Sequence, residues 1–193
     1  KELNADIFIV VSYGKILPLE LIDIPPLKTI NVHFSLLPKY RGAAPIQYAL
    51  LNGETTTGTT IFILDELVDH GDIIAQGAID IEPTDTFLTL AEKLSYLSAH
   101  ILIELLPVYA DNGIEPRTQI HDEATFTKLI KKEDKKSENP LFQGMQQGAD
   151  YDFNYGNLQV FQQKLDAFQK ANPETGKVDV KYDESGSSLQ NLL

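Results

Sequence analysis

An unbroken apolar run near the start of the chain, Ile7-Phe8-Ile9-Val10-Val11, is the feature that most constrains the fold. A strand with one face in water alternates apolar and polar residues, and this run does not alternate. It therefore predicts a central parallel strand that is buried on both faces. The chain begins almost directly in this strand, with Lys1 in place of an initiator Met, so we expect that an N-terminal part of the domain is missing.

Strand and helix patterns alternate as far as about residue 130, which predicts an α/β fold with a mostly parallel sheet flanked by helices. The predicted strands cover residues 6–12, 29–33, 57–64 and 73–81, and the predicted helices cover residues 19–22, 45–52 and 86–112. In this class of fold, ligands bind at the carboxyl ends of the strands. We therefore expect the functional site at that edge of the sheet.

The longest predicted helix carries an apolar stripe that should pack on the sheet. The stripe is formed by Leu90, Leu94, Leu97, Ile101 and Leu105. Asp85 or Thr84 is expected to cap the start of this helix. Gly113 is expected to end it, while Pro107 implies a kink or an earlier end.

Composition and charge exclude several classes of protein. The chain is 42% hydrophobic but has no apolar run long enough to span a bilayer, so we expect a soluble protein without membrane contact. It has no Cys, which excludes disulfides and thiol catalysis and is compatible with a reducing cytoplasm. The net charge of -12 argues against an extended basic surface for nucleic acid on this chain.

Two polar side chains, Asn31 and His33, lie at the carboxyl end of the second predicted strand. Alternate residues of a strand share a face, so both should point into one crevice. An amide can polarise a carbonyl group and an imidazole can exchange a proton near neutral pH, so the pair fits acyl transfer. Because Pro38 has no backbone donor, the residues that follow should form a fixed loop beside the pair.

A second cluster, Leu64-Asp65-Glu66-Leu67-Val68-Asp69-His70-Gly71-Asp72, places Asp69 in a loop at the end of a strand. A carboxylate near His33 would orient the imidazole and accept or relay the proton that an amine nucleophile must lose. Asn31, His33 and Asp69 are therefore the predicted catalytic residues, and together they are sufficient for formyl transfer.

At these residues the chain resembles the folate-dependent formyltransferases. The family signature is Asn-x-His, then Ser-Leu-Leu-Pro-x-x-x-Gly, then a loop Asp, and it is matched by Asn31, His33, Ser35, Leu36, Leu37, Pro38, Gly42 and Asp69. The continuation Arg41-Gly42-Ala43-Ala44-Pro45-Ile46-Gln47 is more similar to the methionyl-tRNA branch than to the glycinamide ribonucleotide or sugar-nucleotide branches. The resemblance covers residues 6–134 and implies a Rossmann-like catalytic domain over residues 1–134.

The resemblance also implies roles for these residues. Asn31 and His33 would stabilise the oxyanion that develops at the formyl carbon, and Asp69 would position His33 and a water molecule. The implied formyl donor is 10-formyltetrahydrofolate, with no metal, and the implied acceptor is the amino group of initiator methionyl-tRNA. The residues implied in binding the folate are Ile16, Leu17, Ser35, Leu36, Leu37, Pro38 and Val68.

Other functions and sites stay open at this stage. The alternatives are a sugar-nucleotide N-formyltransferase, a formyltetrahydrofolate hydrolase, and an inactive fragment or interaction module. A metal site at His70 with Asp65 and Asp72 is disfavoured, because a transition metal needs a convergent set of imidazole or thiolate ligands. The loop Lys39-Tyr40-Arg41 either contacts an acceptor phosphate or forms a solvated face.

The character of the chain changes after Lys131, where the charge run Lys131–Glu138 predicts a domain boundary. Residues 135–150 are predicted to be a linker. Because Leu141-Phe142-Gln143-Gly144 is similar to a protease site used in expression vectors, an engineered junction is a second interpretation of this segment. Residues 151–193 are predicted to be an extension with one amphipathic helix, and no function is assigned to it.

Overall fold

The computed structural model describes residues 4–130, so the predicted boundary, linker and extension lie outside the described residues. The elements are β1 (Phe8–Val11), α1 (Leu19–Ile22), β2 (Thr29–His33), β3 (Arg41–Gly42), α2 (Pro45–Leu51), β4 (Thr56–Ile63), β5 (Ile73–Asp80), α3 (Phe87–Ala110), a 3-10 helix (His121–Glu123) and β6 (Phe126–Thr127). None of the helices within residues 4–130 has the length and apolar character needed to cross a bilayer.

The α/β class is confirmed, but the pairing of the strands is mixed and not mostly parallel. The main sheet has the order β1-β2-β4-β5. Strands β1 and β2 are parallel, whereas β2 with β4 and β4 with β5 are antiparallel. The loop between β4 and β5 contains no helix, so β5 turns back beside β4 and must run antiparallel to it. Strands β3 and β6 form a separate parallel pair.

The prediction that β1 is a central strand buried on both faces was wrong. Among residues 4–130, β1 pairs only with β2 and lies at the edge of the sheet. Ile9 and Val11 remain 42% and 49% exposed. The burial of an apolar strand depends on what packs against it, and the run itself cannot report whether a second neighbour is present.

One face of the sheet is covered by α3, as the apolar stripe predicts. Leu90, Leu94 and Leu105 of the stripe are buried, and Leu105 packs in a core cluster with the β2 residues Ile30 and Val32. Complete burial of such a side chain contributes about 1.5–3 kcal/mol to the stability of the fold. The core between α3 and the sheet therefore fixes the position of β2, which carries the predicted catalytic pair.

The start of α3 differs from the prediction. The N-cap is Thr86, whose hydroxyl accepts from the Thr89 backbone N–H while the Thr89 hydroxyl accepts from the Thr86 N–H. This is a reciprocal capping box, so neither Asp85 nor Thr84 is the cap. The helix continues through Pro107 and ends at Ala110.

Asp85 instead holds the turn that leads into α3. Its carboxylate accepts from the Glu82 backbone N–H at 2.8 Å and from the Lys93 ammonium at 2.8 Å. Burial acts to raise the pKa of Asp85, but these two donors and the Thr89 hydroxyl outweigh it and leave the pKa below its ordinary value of 3.8.

Candidate active site

The face of the sheet opposite α3 carries the predicted catalytic pair. The register pairs Asn31 with Phe62 and His33 with Thr60, and residues paired across a sheet share a face. Two loops cover this face, one after β2 and one between β4 and β5. Phe62 is fully buried beneath them and packs against Leu37 of the first loop.

Asn31 is the least buried residue of β2. Its side-chain amide makes no hydrogen bond to any other group within residues 4–130. Polar groups that are withdrawn from water are nearly always hydrogen-bonded, so a half-buried amide without a partner is available to a ligand. It can donate to a carbonyl oxygen placed above this face of the sheet.

His33 is 7% exposed, and a hydrogen bond holds its ring. Its Nε2 lies 2.8 Å from the Tyr40 carbonyl oxygen. A carbonyl oxygen can only accept, so Nε2 must carry the proton, and Nδ1 has the free lone pair when the ring is neutral. Nδ1 faces a carboxylate oxygen of Asp69 at 3.6 Å.

Asp69 reaches this position because the loop between β4 and β5 folds across the face of the sheet. Its backbone has a φ of 48°, in the left-handed region that Asp adopts more readily than most residues. The carboxylate is 13% exposed and accepts a hydrogen bond of 2.7 Å from the Gly42 backbone N–H. His33 and Asp69 are thus brought together, with Asn31 on the same face.

The segment Tyr40–Gly42 holds both members of this pair through backbone groups. The Tyr40 carbonyl fixes the His33 ring, and the Gly42 N–H fixes the Asp69 carboxylate. Thr125 supports the segment from behind, because its hydroxyl and carbonyl accept from the backbone N–H groups of Tyr40 and Arg41. These contacts could not be predicted from the sequence, since every residue type carries the same backbone donor and acceptor groups.

Arg41 occupies neither of its two predicted environments. It is 4% exposed, so its side chain is neither solvated nor able to contact a phosphate at the surface. Burial lowers its pKa, and the nearby carboxylates of Asp65 and Asp69 act in the opposite direction. Its guanidinium donates to the side chains of Gln119 and His121.

The loop predicted to contact folate, Ser35-Leu36-Leu37-Pro38, is anchored to the sheet. The Ser35 hydroxyl donates to the Lys39 carbonyl at 2.6 Å, and the Leu37 N–H donates to the Thr60 hydroxyl at 3.0 Å. Gln76 donates to the Leu37 carbonyl at 2.9 Å. The side chains of Ser35 and Leu37 are buried, so a ligand would meet the backbone of this loop and its half-buried residues, Leu36 and Pro38.

The other predicted folate residues are apolar and largely uncovered. Ile16 is 84% exposed, Val68 is half-exposed, and Leu17 is partly buried. Val68 precedes Asp69 directly. The segment with Ile16 and Leu17 leaves the sheet beside the end of β2, because Val11 pairs with Val32 in a parallel register. These positions suit an apolar ligand wall, but folate contact stays a prediction for all seven residues.

His70 and Asp65 are joined by a hydrogen bond. His70 Nδ1 lies 2.6 Å from an Asp65 carboxylate oxygen, and its ring stacks on His121 with centroids 4.1 Å apart. Within residues 4–130 no group of three His, Asp or Glu side chains is placed to hold a metal ion. The acidic loop is therefore organised by pairing and stacking.

The chain is similar in sequence to known formyltransferases. The model of the formyl transferase family matches residues 1–106. The chain is 46% identical over 132 residues to a methionyl-tRNA formyltransferase of Chloroflexus aurantiacus, covering 68% of this chain and 43% of the relative. It is 51% identical over 134 residues to the methionyl-tRNA formyltransferase of Kosmotoga olearia, covering 69% and 43%. The chain thus spans less than half the length of these relatives.

Solved structures share the fold. The formyltransferase PseJ from Anoxybacillus kamchatkensis, in complex with UDP-4,6-dideoxy-4-formamido-L-AltNAc and tetrahydrofolate, is 28% identical with a TM-score of 0.59 and covers 65% of this chain and 66% of that chain. HypX from Aquifex aeolicus, in complex with tetrahydrofolic acid, is 17% identical with a TM-score of 0.66 and covers 75% and 26%. At that identity, the second likeness concerns the fold alone.

Proposed function

Because this chain belongs to the formyl transferase family, we propose that it transfers a formyl group from 10-formyltetrahydrofolate to the amino group of initiator methionyl-tRNA. The proposal rests mainly on one observation. The His33–Asp69 pair lies on the same face as the Asn31 amide, which has no hydrogen-bond partner among residues 4–130 and which the carbonyl of a formyl group can reach. The names of the two relatives support the choice of acceptor. The proposed reaction belongs to the cytoplasm, where translation takes place.

Asn31 is proposed to stabilise the charge that develops on the formyl oxygen. When the amine attacks, this oxygen becomes an oxyanion and needs a hydrogen-bond donor that is already in place. The half-buried amide of Asn31 is such a donor, and the core beneath β2 fixes its position. Loss of one donor of this kind typically lowers kcat by about 100-fold to 1,000-fold.

His33 is proposed to take the proton from the attacking amine. Its Nε2 is committed to the Tyr40 carbonyl, so Nδ1 is the basic nitrogen of the neutral ring. Protonation at Nδ1 creates an N–H that points at the Asp69 carboxylate, whose charge stabilises the imidazolium ring. Asp69 itself is held by the Gly42 N–H and so cannot turn away.

The bonds and protons of the reaction balance with these groups alone. The amine nitrogen forms a bond to the formyl carbon, and the proton that it loses passes to His33 Nδ1. The bond between the formyl carbon and N10 of the folate then breaks, and the departing nitrogen receives the proton from the same ring. General acid–base catalysis of this kind typically contributes about 100-fold to 10,000-fold to the rate.

The charge of the chain shapes the proposed contact with tRNA. With a net charge of -12, the chain is expected to meet the acceptor around the reactive amine and to make few phosphate contacts. The logarithm of the affinity of this chain for methionyl-tRNA should therefore fall only shallowly with the logarithm of the salt concentration. A steep slope would show many phosphate contacts and would contradict this part of the proposal.

A panel of acceptors tests the proposed function. The purified chain is incubated with donor labelled in the formyl carbon and with methionyl-tRNA, a nucleotide-linked amino sugar, or no acceptor. We expect label on methionyl-tRNA, and none after substitution His33→Ala. Label on the amino sugar would favour the second candidate, a sugar-nucleotide N-formyltransferase, which the 28% identical neighbour supports. Release of formate without an acceptor would indicate a hydrolase, and no turnover by a folded chain would indicate an interaction module.

A further inference from the structure

We propose that Gln119 is a positioning residue that holds Asp69 in its catalytic orientation, with Arg41 as the group that orients Gln119. This inference rests on the proposed function for its effect on turnover. Gln119 is 4% exposed and lies beyond α3 in the sequence, 50 residues from Asp69. No motif in the sequence marks it as part of the site.

Both ends of the Gln119 side chain are engaged. Its Nε2 donates to the backbone carbonyl of Asp69 at 3.0 Å and to that of Gly71 at 2.8 Å. Its Oε1 accepts from the Nε and Nη2 atoms of Arg41 at 3.2 and 2.7 Å. Carbonyl groups can only accept and a guanidinium can only donate, so one orientation of the amide satisfies all four contacts.

The two carbonyl groups that Gln119 grips lie on either side of His70, at the point where the loop turns back. Asp69 has a left-handed backbone with a φ of 48°, a conformation that costs a non-glycine residue free energy and persists only when neighbouring groups hold it. A Cβ on Gly71 would collide with the Ile63 carbonyl, so the backbone there is already pressed against β4. The two Gln119 donations add a second restraint on the backbone of this turn.

Arg41 and Gly42 complete the clamp around Asp69. The side chain of Arg41 orients Gln119, which fixes the Asp69 backbone, and the N–H of Gly42 fixes the Asp69 carboxylate. The two residues of β3 therefore restrain both parts of Asp69: Arg41 restrains its backbone through Gln119, and Gly42 restrains its side chain directly. A small shift of the Asp69 backbone would lengthen the 3.6 Å separation between its carboxylate and His33 Nδ1.

The substitution Gln119→Glu tests this role with little change of shape. A carboxylate in this position keeps the acceptor for Arg41 but removes both donations to the Asp69 and Gly71 carbonyls. We expect kcat to fall by about 10-fold to 100-fold, as small misplacements of catalytic groups do, with little change in KM for the donor or the acceptor. A general loss of folding would instead lower the active fraction and leave kcat per folded molecule unchanged.

Gln76→Glu is the matched control. Gln76 also donates from Nε2 to a backbone carbonyl, that of Leu37, and accepts from an arginine, Arg117. Both substitutions are combined with Asp69→Asn. If Gln119 acts through Asp69, Gln119→Glu should cause no further loss of kcat in the Asp69→Asn background, whereas the losses from Gln76→Glu and Asp69→Asn should multiply. Multiplying losses for Gln119 would overturn the proposal.

Hydrogen exchange at the Gly42 amide gives a readout that does not depend on turnover. This N–H is protected by the Asp69 carboxylate, so Gln119→Glu should speed its exchange by about tenfold or more, whereas Gln76→Glu should leave it unchanged. Unchanged exchange in Gln119→Glu would overturn the proposal. Faster exchange in a chain whose wild type turns over no substrate would support the positioning role and refute the proposed function.

Discussion

The substitution Asp69→Asn separates the chemical role of Asp69 from its structural role. In the wild type the carboxylate accepts from the Gly42 N–H at 2.7 Å and faces His33 Nδ1 at 3.6 Å. An Asn side chain has the same shape and can still accept from Gly42. Because the same carboxylate oxygen, Oδ2, makes both contacts, the amide oxygen of Asn would take its place and face Nδ1 without the negative charge.

The expected effects on stability and on rate are very different. A hydrogen bond to a charged group contributes about 1.5–3 kcal/mol and a neutral one about 0.5–1.5 kcal/mol, so the loss of free energy of unfolding should be about 1 kcal/mol. The rate should fall by about 100-fold to 10,000-fold, because the charge that stabilises the protonated form of the His33 base is gone.

Single-turnover kinetics at saturating donor measure the chemical step, and urea unfolding of the same samples measures stability. The companion variant is Asp69→Ala, which also removes the acceptor for the Gly42 N–H. It should be less stable than Asp69→Asn but no more active. A rate for Asp69→Asn within about threefold of the wild type would refute the reasoning, since the carboxylate would then have no role in proton transfer.

Three further predictions concern stability. Gly42→Ala should lower the free energy of unfolding by about 2–3 kcal/mol, because Gly42 has a φ of 98° and a Cβ there would lie 2.6 Å from the Thr127 carbonyl oxygen. The control is Gly53→Ala, where φ is also positive but a Cβ would meet open space, and it should lower the free energy of unfolding by about 1 kcal/mol. Equal losses would contradict the steric argument. Phe62→Ala should lower the free energy of unfolding, measured by chemical denaturation, by about 3–5 kcal/mol, because Phe62 is fully buried. A loss below about 1 kcal/mol would show that this face of the sheet has no packed core. Asp85→Asn should lower the free energy of unfolding by about 1 kcal/mol above about pH 5. Because the folded pKa of Asp85 lies below 3.8, its contribution is complete above the unfolded pKa and disappears as the pH falls through the folded pKa. The stabilities of the two proteins should therefore converge below pH 3.8, and a constant difference would refute the assignment.

Local signals in the sequence predicted most of the elements. α1 and β2 begin and end where the pattern places them, and the apolar stripe of α3 faces the sheet. The capping residue was misplaced because Asp85 and Thr86 are both good caps by type, and only the Thr89 contact distinguishes them. The sequence therefore predicts these helices and strands well, but it does not decide which of several neighbouring residues caps a helix.

Long-range pairing was less predictable. The apolar run of β1 is compatible with a central or an edge strand, and its burial depends on neighbours that the run does not specify. The antiparallel direction of β4 and β5 follows from the loop between them, which contains no helix, whereas the alternation of strand and helix patterns predicted a mostly parallel sheet.

In the candidate site, too, some residues could be predicted from local signals and others could not. Asn31 and His33 follow from strand alternation, and Asp69 follows from its loop and from a family signature. Gln119 has no such signal, since its contacts with Arg41 and Asp69 join residues that lie 78 and 50 positions away. The backbone donors and acceptors of residues 40–42 are equally invisible in a sequence, because every residue type carries them.

The rate of formyl transfer to methionyl-tRNA by Asn31→Ala, measured beside the wild type at saturating donor, tests the central claim most directly. The Asn31 amide has no partner within residues 4–130, so its removal should leave the free energy of unfolding nearly unchanged. The account predicts a fall in kcat of about 100-fold or more with a similar KM for the donor. A variant that transfers formyl groups at the wild-type rate would contradict the claim that this face of β2 is the site of the reaction.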